Sequence, residues 1–237
     1  MVNFSPLPRM RLYTSMGNYF KIFTRFVTGR VTLGDEVSRL EAAVAKRVGA
    51  RYAVAMPRAR VGIYFTLKAL IKPGQEVLLS PYGIADVVNM VVCAGGVPVF
   101  ADLDSGTCNI SADEVERLIN ENTGAVIATH FYGMICDVVR IARICEMKGV
   151  PLIEDSAQAF GARLDGKAAG TTGLAGIYSF GLYKNVNSFF GGMVVTDDVK
   201  LRDSLIQYIK NLPYQSKWGL FRVVISGVVT DFATWPL

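Results

Sequence analysis

The sequence predicts an α/β fold in three layers, with a mostly parallel central sheet and helices on both of its faces. Just over half of the 237 residues are apolar and 19% are charged, so the chain can bury a large core and disorder is not expected. Apolar stripes with helical spacing alternate along the chain with short apolar segments of strand length. Several of these short segments are continuously apolar, which is typical of parallel strands covered by helices on both faces.

Helices and strands alternate through the central part of the chain. The apolar stripe Val37, Leu40, Val44 and Val48 predicts the first helix, and Gly49 ends it. Ser111 is a candidate N-cap for a helix at 112–120. The other predicted helices run from Pro57 to a stop at 72–74 and then cover 86–93, 136–148 and 199–210. The predicted strands are 52–56, 76–80, 97–101, 125–130, 150–154, 175–180 and 193–196.

The periodicity divides the chain into three parts. Residues 1–35 show no clear period, and we expect an N-terminal arm that wraps a neighbouring surface. Residues 36–212 carry the alternating elements and form one large domain. Beyond Pro213 the pattern breaks, and the final segment 213–237, which is apolar from Trp218 onward, has no stop pattern. We therefore expect the chain to be a fragment, or to end where a second, smaller domain would begin.

Charge and residue types disfavour several classes of protein. The net charge of +5 comes without a dense Lys/Arg tract, which favours an anionic small ligand over nucleic acid, although the charge alone favours a generic soluble surface over either. His130 is the single histidine, and no CxxC spacing occurs, so we expect no metal site and no histidine-based triad. No segment approaches the ~20 apolar residues of a membrane span. We expect a cytoplasmic protein with buried, reduced thiols at Cys93, Cys108, Cys136 and Cys145.

Polar residues at predicted strand ends are the candidates for chemistry, because open parallel sheets bind ligands beyond the carboxyl ends of their strands. They are the turn at 57–60, Asp155, Ser179 and Lys184. Each has an ordinary interpretation in isolation: a plain turn with exposed arginines, an N-cap, a turn serine and a surface amine. Together they match the needs of pyridoxal phosphate (PLP), which takes a lysine, an acid for its ring nitrogen and a phosphate-binding turn.

Five ordered motifs carry a resemblance that covers roughly residues 34–211. The motifs are Gly-Gln-Glu-Val at 74–77, Gly-Gly-Val-Pro-Val-Phe-Ala-Asp-Leu-Asp at 95–104, His-Phe-Tyr-Gly at 130–133, Ile-Glu-Asp-Ser-Ala-Gln-Ala-Phe-Gly-Ala at 153–162 and Ser-Phe-x-x-x-Lys with Gly-Gly at 179–192. In this order they resemble the DegT/StrS family of PLP-dependent sugar aminotransferases. The resemblance implies the large domain of the type I transferase fold.

The resemblance also implies roles for single residues around the ring of the cofactor. Lys184 matches the lysine that forms a Schiff base with PLP and shuttles protons. Asp155 matches the acid that pairs with the pyridinium nitrogen. Gln158 matches the residue that contacts the 3-oxygen of the ring.

The phosphate end of the implied site departs from the family pattern. Ser179 matches a phosphate ligand, and Ala59 with Arg60 occupies the place of the usual Gly-Thr turn. Because the usual Ser-Gly-Thr is Arg-Ala-Arg at 58–60, a hydroxyl ligand is lost and a guanidinium becomes available for the phosphate.

Other departures remodel the surroundings. The ring-stacking aromatic aligns with Ile84, and Tyr82 lies two residues earlier as a candidate substitute. Gly181 replaces the histidine of the family's Ser-Phe-His, and two phenylalanines at 189–190 replace its Gly-Glu.

The implied function is transfer of an amino group, from glutamate, to a nucleotide-linked keto sugar for polysaccharide, lipopolysaccharide or antibiotic pathways. The implied assembly is a homodimer with shared active sites. Two alternatives stay open: a PLP-dependent sugar dehydratase, whose members carry histidine where Lys184 stands, and a non-catalytic scaffold or regulator.

Overall fold

A seven-stranded sheet forms the centre of the protein in the computed structural model, which describes residues 14–30 and 34–234. Its strands are β1 (Tyr52–Met56), β2 (Glu76–Leu79), β3 (Val97–Phe100), β4 (Thr123–Thr129), β5 (Leu152–Asp155), β8 (Ala175–Ser179) and β9 (Gly192–Thr196). The short strands β6 (Arg163–Leu164) and β7 (Lys167–Ala168) form a separate hairpin.

The sheet is mostly parallel, as predicted. Its order is β1-β9-β8-β5-β4-β2-β3. Strands β3, β2, β4, β5 and β8 pair in parallel, whereas β9 is antiparallel to both of its neighbours. The carboxyl ends of β2, β4, β5 and β8 therefore lie at one edge of the sheet, and β9 begins at that edge.

Helices cover both faces of the sheet. The helices of the described residues are α1 (Met16–Val27), α2 (Glu36–Val48), α3 (Ala59–Leu70), α4 (Ala85–Cys93), α5 (Ala112–Leu118), α6 (Val138–Lys148), α7 (Val199–Lys210) and α8 (Lys217–Ala233), of which α2 to α7 pack on the sheet. Strand β4 shows how the faces divide, because Ile127 packs in a buried cluster with α3, α4 and α7 while Val126 packs in a second cluster with α5 and α6. Two covered faces explain why such strands are continuously apolar.

The helix boundaries follow from local chemistry. Gly49, at φ 85°, ends α2 in the left-handed region and donates its N–H to the Ala45 carbonyl. The Ser111 hydroxyl accepts the Glu114 N–H at 3.4 Å and so caps α5, as the sequence predicts. The Asp198 carboxylate caps α7 in the same manner, accepting the Leu201 N–H at 2.7 Å.

Two helices lie where no periodic element was predicted. Helix α1 falls in the predicted arm and α8 in the predicted final segment; residues 1–13, 31–33 and 235–237 of those segments are outside the described residues. The two helices pack against each other, since the Tyr19 hydroxyl donates to Asp231 at 2.6 Å. Helix α8 is apolar around much of its circumference, which hides its helical period in the sequence.

Two other sequence-based expectations can be compared with the described residues. Cys136 and Cys145 are buried, whereas Cys93 and Cys108 are exposed, so the prediction of four buried thiols was wrong for two of them. Both of these lie at element edges, Cys93 at the end of α4 and Cys108 in a turn. No helix in the described ranges has the length and the mean hydropathy needed to cross a bilayer.

Candidate functional site

The structure brings the predicted site residues together at the carboxyl edge of the sheet. A cleft of ≈ 210 Å³ is lined by Ala59, Arg60, Asp155, Ser179 and Lys184, together with their neighbours. A smaller adjoining cavity of ≈ 90 Å³ shares Asp155 and Lys184 with this cleft and adds the sixth predicted residue, Gln158. A larger open cleft between α1 and α2 contains none of the six.

Asp155 ends β5 with a buried carboxylate that has few donors. Its Oδ1 accepts the Ala157 N–H at 3.1 Å. Burial raises the pKa of Asp155 above its ordinary value, and the Ala157 N–H and the charge of Lys184 only partly oppose that shift. A second cation beside this carboxylate would stabilise its ionised form.

Lys184 lies on the loop between β8 and β9. The loop is closed at its base, where the Phe180 N–H donates to the Gly191 carbonyl at 3.0 Å and the Ser188 N–H donates to the Phe180 carbonyl at 2.9 Å. The Lys184 side chain is half-buried and lines the cleft beside Asp155. An amine held in such a cleft is available for bond formation with a carbonyl ligand.

The turn before α3 places uncapped N–H groups, which suit an anion, at one corner of the cleft. The first N–H groups of a helix have no intrahelical partners, and the Arg58 side chain does not cap them. Gly192 is required nearby, since a Cβ at this position would lie 2.7 Å from the Ala59 Cα. Because Ser179 pairs with Gly192 across the β8–β9 ladder, its hydroxyl is carried to the same corner.

Arg60 reaches the cleft but is held by a partner. Its guanidinium forms an ion pair at 2.8 Å with Asp86 in the first turn of α4. Both side chains line the cleft and are partly exposed. Arg60 is therefore a cation beside this corner of the cleft, and Asp86 partly balances its charge.

The remaining predicted residues line the mouth of the cavity. The Gln158 side chain is exposed, and its Oε1 accepts the Tyr132 N–H at 3.2 Å. Tyr82 and Ile84 both line the cavity that holds Asp155 and Lys184. The Tyr82 ring packs on Phe131 with centroids 5.1 Å apart, which fixes its position at the rim.

A buried pair that the sequence did not reveal, His130 and Glu154, lies behind the site. Glu154 accepts four hydrogen bonds, from His130 Nε2 at 2.9 Å, the Gly170 N–H at 2.8 Å, the Thr172 N–H at 2.5 Å and the Gly173 N–H at 2.6 Å. Nδ1 of His130 accepts the Cys136 N–H at 3.3 Å, so the proton of the neutral imidazole is on Nε2. Burial acts to raise the pKa of Glu154, but these donors together bring it below its ordinary value.

The sequence contained an indication of this pair. His130 and Glu154 are polar residues at the ends of continuously apolar segments, where an unpartnered polar group is costly. Their mutual contact depends on β4 and β5 being neighbours, which the sequence did not specify. Among residues 14–30 and 34–234, no three His, Cys, Asp or Glu side chains cluster in a way that could hold a metal ion.

Comparisons with known proteins show which sequences and structures are similar to this chain. The model of the DegT/DnrJ/EryC1/StrS aminotransferase family matches residues 22–219. A pleiotropic regulatory protein from Geobacillus stearothermophilus is 36% identical over 178 residues, which are 74% of this chain and 48% of that protein.

Two solved structures share the fold. One is DesI in the presence of its TDP-sugar product, with a TM-score of 0.76, 30% identity and coverage of 89% of this chain and 54% of that one. The other is a GDP-4-keto-6-deoxymannose-3-dehydratase with a trapped PLP-glutamate geminal diamine, with a TM-score of 0.80, 25% identity and coverage of 90% of this chain and 58% of that one. The chain thus spans about half the length of the relatives it matches.

Proposed function

Because this chain belongs to the DegT/DnrJ/EryC1/StrS aminotransferase family, we propose that it acts as a PLP-dependent aminotransferase on a nucleotide-linked keto sugar. The observation that carries the proposal is the meeting of Asp155, Ser179 and Lys184 with the uncapped start of α3 in one cleft. The TDP-sugar product in DesI supports a nucleotide-sugar substrate, and the PLP-glutamate adduct in the dehydratase supports PLP with glutamate as amino donor.

The donor set of the cleft fits PLP at both ends of the cofactor. At the phosphate end, the amides that begin α3 and the Ser179 hydroxyl are donors for an anion, and Arg60 adds a positive charge. At the ring end, the raised pKa of Asp155 leaves a buried carboxylate whose ionised form a ring N–H cation would stabilise. Lys184 would hold the cofactor covalently between these ends.

Bound PLP would supply an electron sink for breaking a bond to hydrogen on the amino carbon. Asp155 would keep a proton on the ring nitrogen, which maintains that sink. Gln158 would orient the ring through its 3-oxygen. The Lys184 Nζ would accept the proton that leaves the amino carbon. It would then return this proton to the carbon on the other side of the nitrogen.

Absorbance of the chain with added PLP tests the proposal. We expect the wild-type chain to develop the band of lysine-bound PLP, and Lys184→Ala to lose that band entirely. Lys148→Ala, at the end of α6, is the matched control and retains it. An unchanged band in Lys184→Ala would remove the proposed role of this lysine.

A non-catalytic regulator is the second candidate function. The Arg60–Asp86 ion pair favours it, because it partly neutralises the cation that replaces the usual hydroxyl ligand. The name of the Geobacillus relative, a pleiotropic regulatory protein, also favours it. A PLP-bound chain that gives no half-reaction with glutamate would support this candidate. Lys184 disfavours the dehydratase alternative, whose members carry histidine at this position.

We also propose an oligomeric state, a cellular location and a pathway for the protein. We propose a cytoplasmic homodimer in which each copy completes the site of the other, in a polysaccharide, lipopolysaccharide or antibiotic-sugar pathway. Light scattering of the chain in solution measures its mass, and a monomer that retains full transamination would contradict shared sites.

A further inference from the structure

The first and last helices form a pair that exposes an extensive apolar surface. We call this surface the outer face, and each of its side chains is 40–70% exposed. Its members are Met16, Phe20, Phe23 and Val27 of α1 and Trp218, Phe221, Ile225, Val229 and Phe232 of α8. Apolar residues scattered singly on a surface need no explanation, but nine on two packed helices do.

The spacing of these residues places them on one stripe of each helix. On α1 they recur at intervals of four, three and four residues, and on α8 at three, four, four and three. The helices run antiparallel, since Tyr19 near the start of α1 bonds Asp231 near the end of α8, while Phe26 meets Phe221 edge-on at 5.9 Å. The Phe221 ring also stacks on Trp218, with ring centroids 5.5 Å apart. The aromatic side chains at this end of the surface therefore form one cluster.

The exposed charges on the two helices of the outer face have one sign. Helix α1 contains no Asp or Glu, and the single acid of α8, Asp231, is buried beneath the Tyr19 hydroxyl. Lys217 and Arg222 are exposed on α8 within four residues of Trp218. Arg25 pairs with Glu36 of α2, so the polar side of α1 lies away from the outer face.

We propose that the outer face docks on the surface of an anionic bilayer, with α1 and α8 lying in the headgroup region. An apolar stripe with Trp and Phe, bordered by cations and free of exposed carboxylates, has the chemistry of an interfacial helix. Neither helix crosses the bilayer. A second copy of the chain fits less well, because a two-fold contact through this surface would enclose the Lys217 and Arg222 side chains of both copies, and neither α1 nor α8 has an exposed carboxylate to balance them.

Docking would also hold the lysine loop close to the membrane. Gly227 of α8 lies directly under Phe189, where a Cβ would overlap the Phe189 ring. The ring of Tyr19 lies beside the same ring, with centroids 6.3 Å apart. Phe189 lies in the loop that carries Lys184 and has a φ of 65° in the left-handed region. The docking proposal does not depend on the proposed function, because it rests on the outer face alone.

Vesicle flotation of the chain tests the proposal. Vesicles of phosphatidylcholine alone are compared with vesicles that contain about 30% phosphatidylglycerol, and we expect partition onto the anionic vesicles at least about tenfold higher. The double variant Phe23→Glu/Ile225→Glu is expected to lower that partition at least about tenfold. Val92→Glu/Met147→Glu changes two exposed apolar residues elsewhere, on α4 and α6, and is expected to bind as the wild type does.

Two further measurements, with single charge-neutralising variants and with tryptophan fluorescence, test the proposal if the double variant is unstable. Lys217→Gln and Arg222→Gln are each expected to weaken partition roughly fivefold while the chain stays folded. Trp235→Phe leaves Trp218 as the single tryptophan of the chain's two, and its emission is expected to shift to shorter wavelength on anionic vesicles.

Three results would overturn the proposal. The first is absence of wild-type binding to anionic vesicles, and the second is equal loss in the control variant. The third is a stable dimer in sedimentation that Phe23→Glu/Ile225→Glu converts to monomer without any lipid binding. That result would assign the outer face to contact between copies.

Discussion

The two sides of strand β5 place consecutive carboxylates in opposite situations. Successive side chains of a strand point to opposite faces, so Glu154 and Asp155 enter different environments although they are neighbours in the chain. Glu154 accepts four hydrogen bonds, one from a histidine and three from backbone amides. Asp155 accepts the Ala157 N–H and faces the cleft with Lys184.

The difference lies in the donors rather than in burial, since both side chains are buried. Donors that favour the ionised form lower the pKa of Glu154, while burial with few donors raises the pKa of Asp155. Glu154 has no hydrogen-bonding capacity to spare and stabilises the β4–β5 region with the 170–173 segment. Asp155 retains capacity for a cationic partner, which is the condition of a binding residue.

Removal of the Glu154 carboxylate is expected to have the largest effect. Glu154→Ala leaves His130 Nε2–H and three backbone amides, one of them fully buried, without an acceptor, and we expect the free energy of unfolding to fall by about 3–5 kcal/mol. Urea unfolding followed by circular dichroism measures the change. Glu146→Ala, at an exposed position of α6, is the control and is expected to stay within about 0.5 kcal/mol.

The pH dependence of this effect has a fixed sign. Because the folded pKa of Glu154 is lowered, its contribution is present above the unfolded pKa and is lost as pH falls through the folded pKa. The stability gap between wild type and Glu154→Ala should therefore narrow in acid. A gap that is equal at neutral and strongly acidic pH would contradict this account.

Substitution of Asp155 is expected to act in the opposite direction on the chain without cofactor. Asp155→Asn removes a buried charge and keeps an oxygen for the Ala157 N–H, so we expect a gain of roughly 0.5–2 kcal/mol at neutral pH. Since the folded pKa of Asp155 is raised, wild-type stability is lost as pH rises from the unfolded to the folded pKa, and the gain should vanish below both.

Thermal unfolding across pH measures the Asp155→Asn effect, with the exposed Asp165→Asn as control. The same variant is expected to hold PLP less tightly, because an amide does not balance a ring cation. A variant that is less stable than wild type at neutral pH, or whose gain persists in strong acid, would show that Asp155 is satisfied without a ligand.

The smallest expected effect is a difference in the reactivity of single cysteines, which thiol labelling measures. Burial raises the pKa of Cys136, on the Glu154 side, to about 12, and burial likewise raises the pKa of Cys145 to about 12. At mildly alkaline pH we expect the exposed Cys93 and Cys108 to react first with a disulfide reagent. The two buried thiols are expected to react only after the chain unfolds.

Labelling of the Glu154→Ala chain then sharpens the comparison. Because the Cys136 N–H bonds His130, which loses its partner in the variant, Cys136 should become reactive before Cys145 does. Mass spectrometry of the labelled peptides separates the four sites. Equal protection of Cys136 in both chains would mean that the histidine does not depend on Glu154 for its position.

Much of the fold could be predicted from local pattern. The stripe from Val37 to Val48, the stop at Gly49 and the cap at Ser111 all depend on residues close in sequence, and the corresponding helices were confirmed. The strands were found because continuous apolar segments fit a sheet covered on both faces. Helix α1 could have been found from the spacing of Met16, Phe20, Phe23 and Val27, whereas the nearly uniform apolar character of α8 offered little contrast.

The sequence by itself determined which chemical groups the site contains. Asp155, Ser179 and Lys184 follow apolar strands, and strand ends at one edge of a parallel sheet meet in space. Only the tertiary structure decided their partners, since strand order is a long-range property. In the observed order β9 lies antiparallel beside β8, so that Gly192 contacts Ala59. The tertiary structure also pairs Arg60 with Asp86. Finally, β4 lies beside β5. That last pairing separates a saturated carboxylate at Glu154 from an available one at Asp155, because hydrogen-bond donors far apart in the chain reach only one of them.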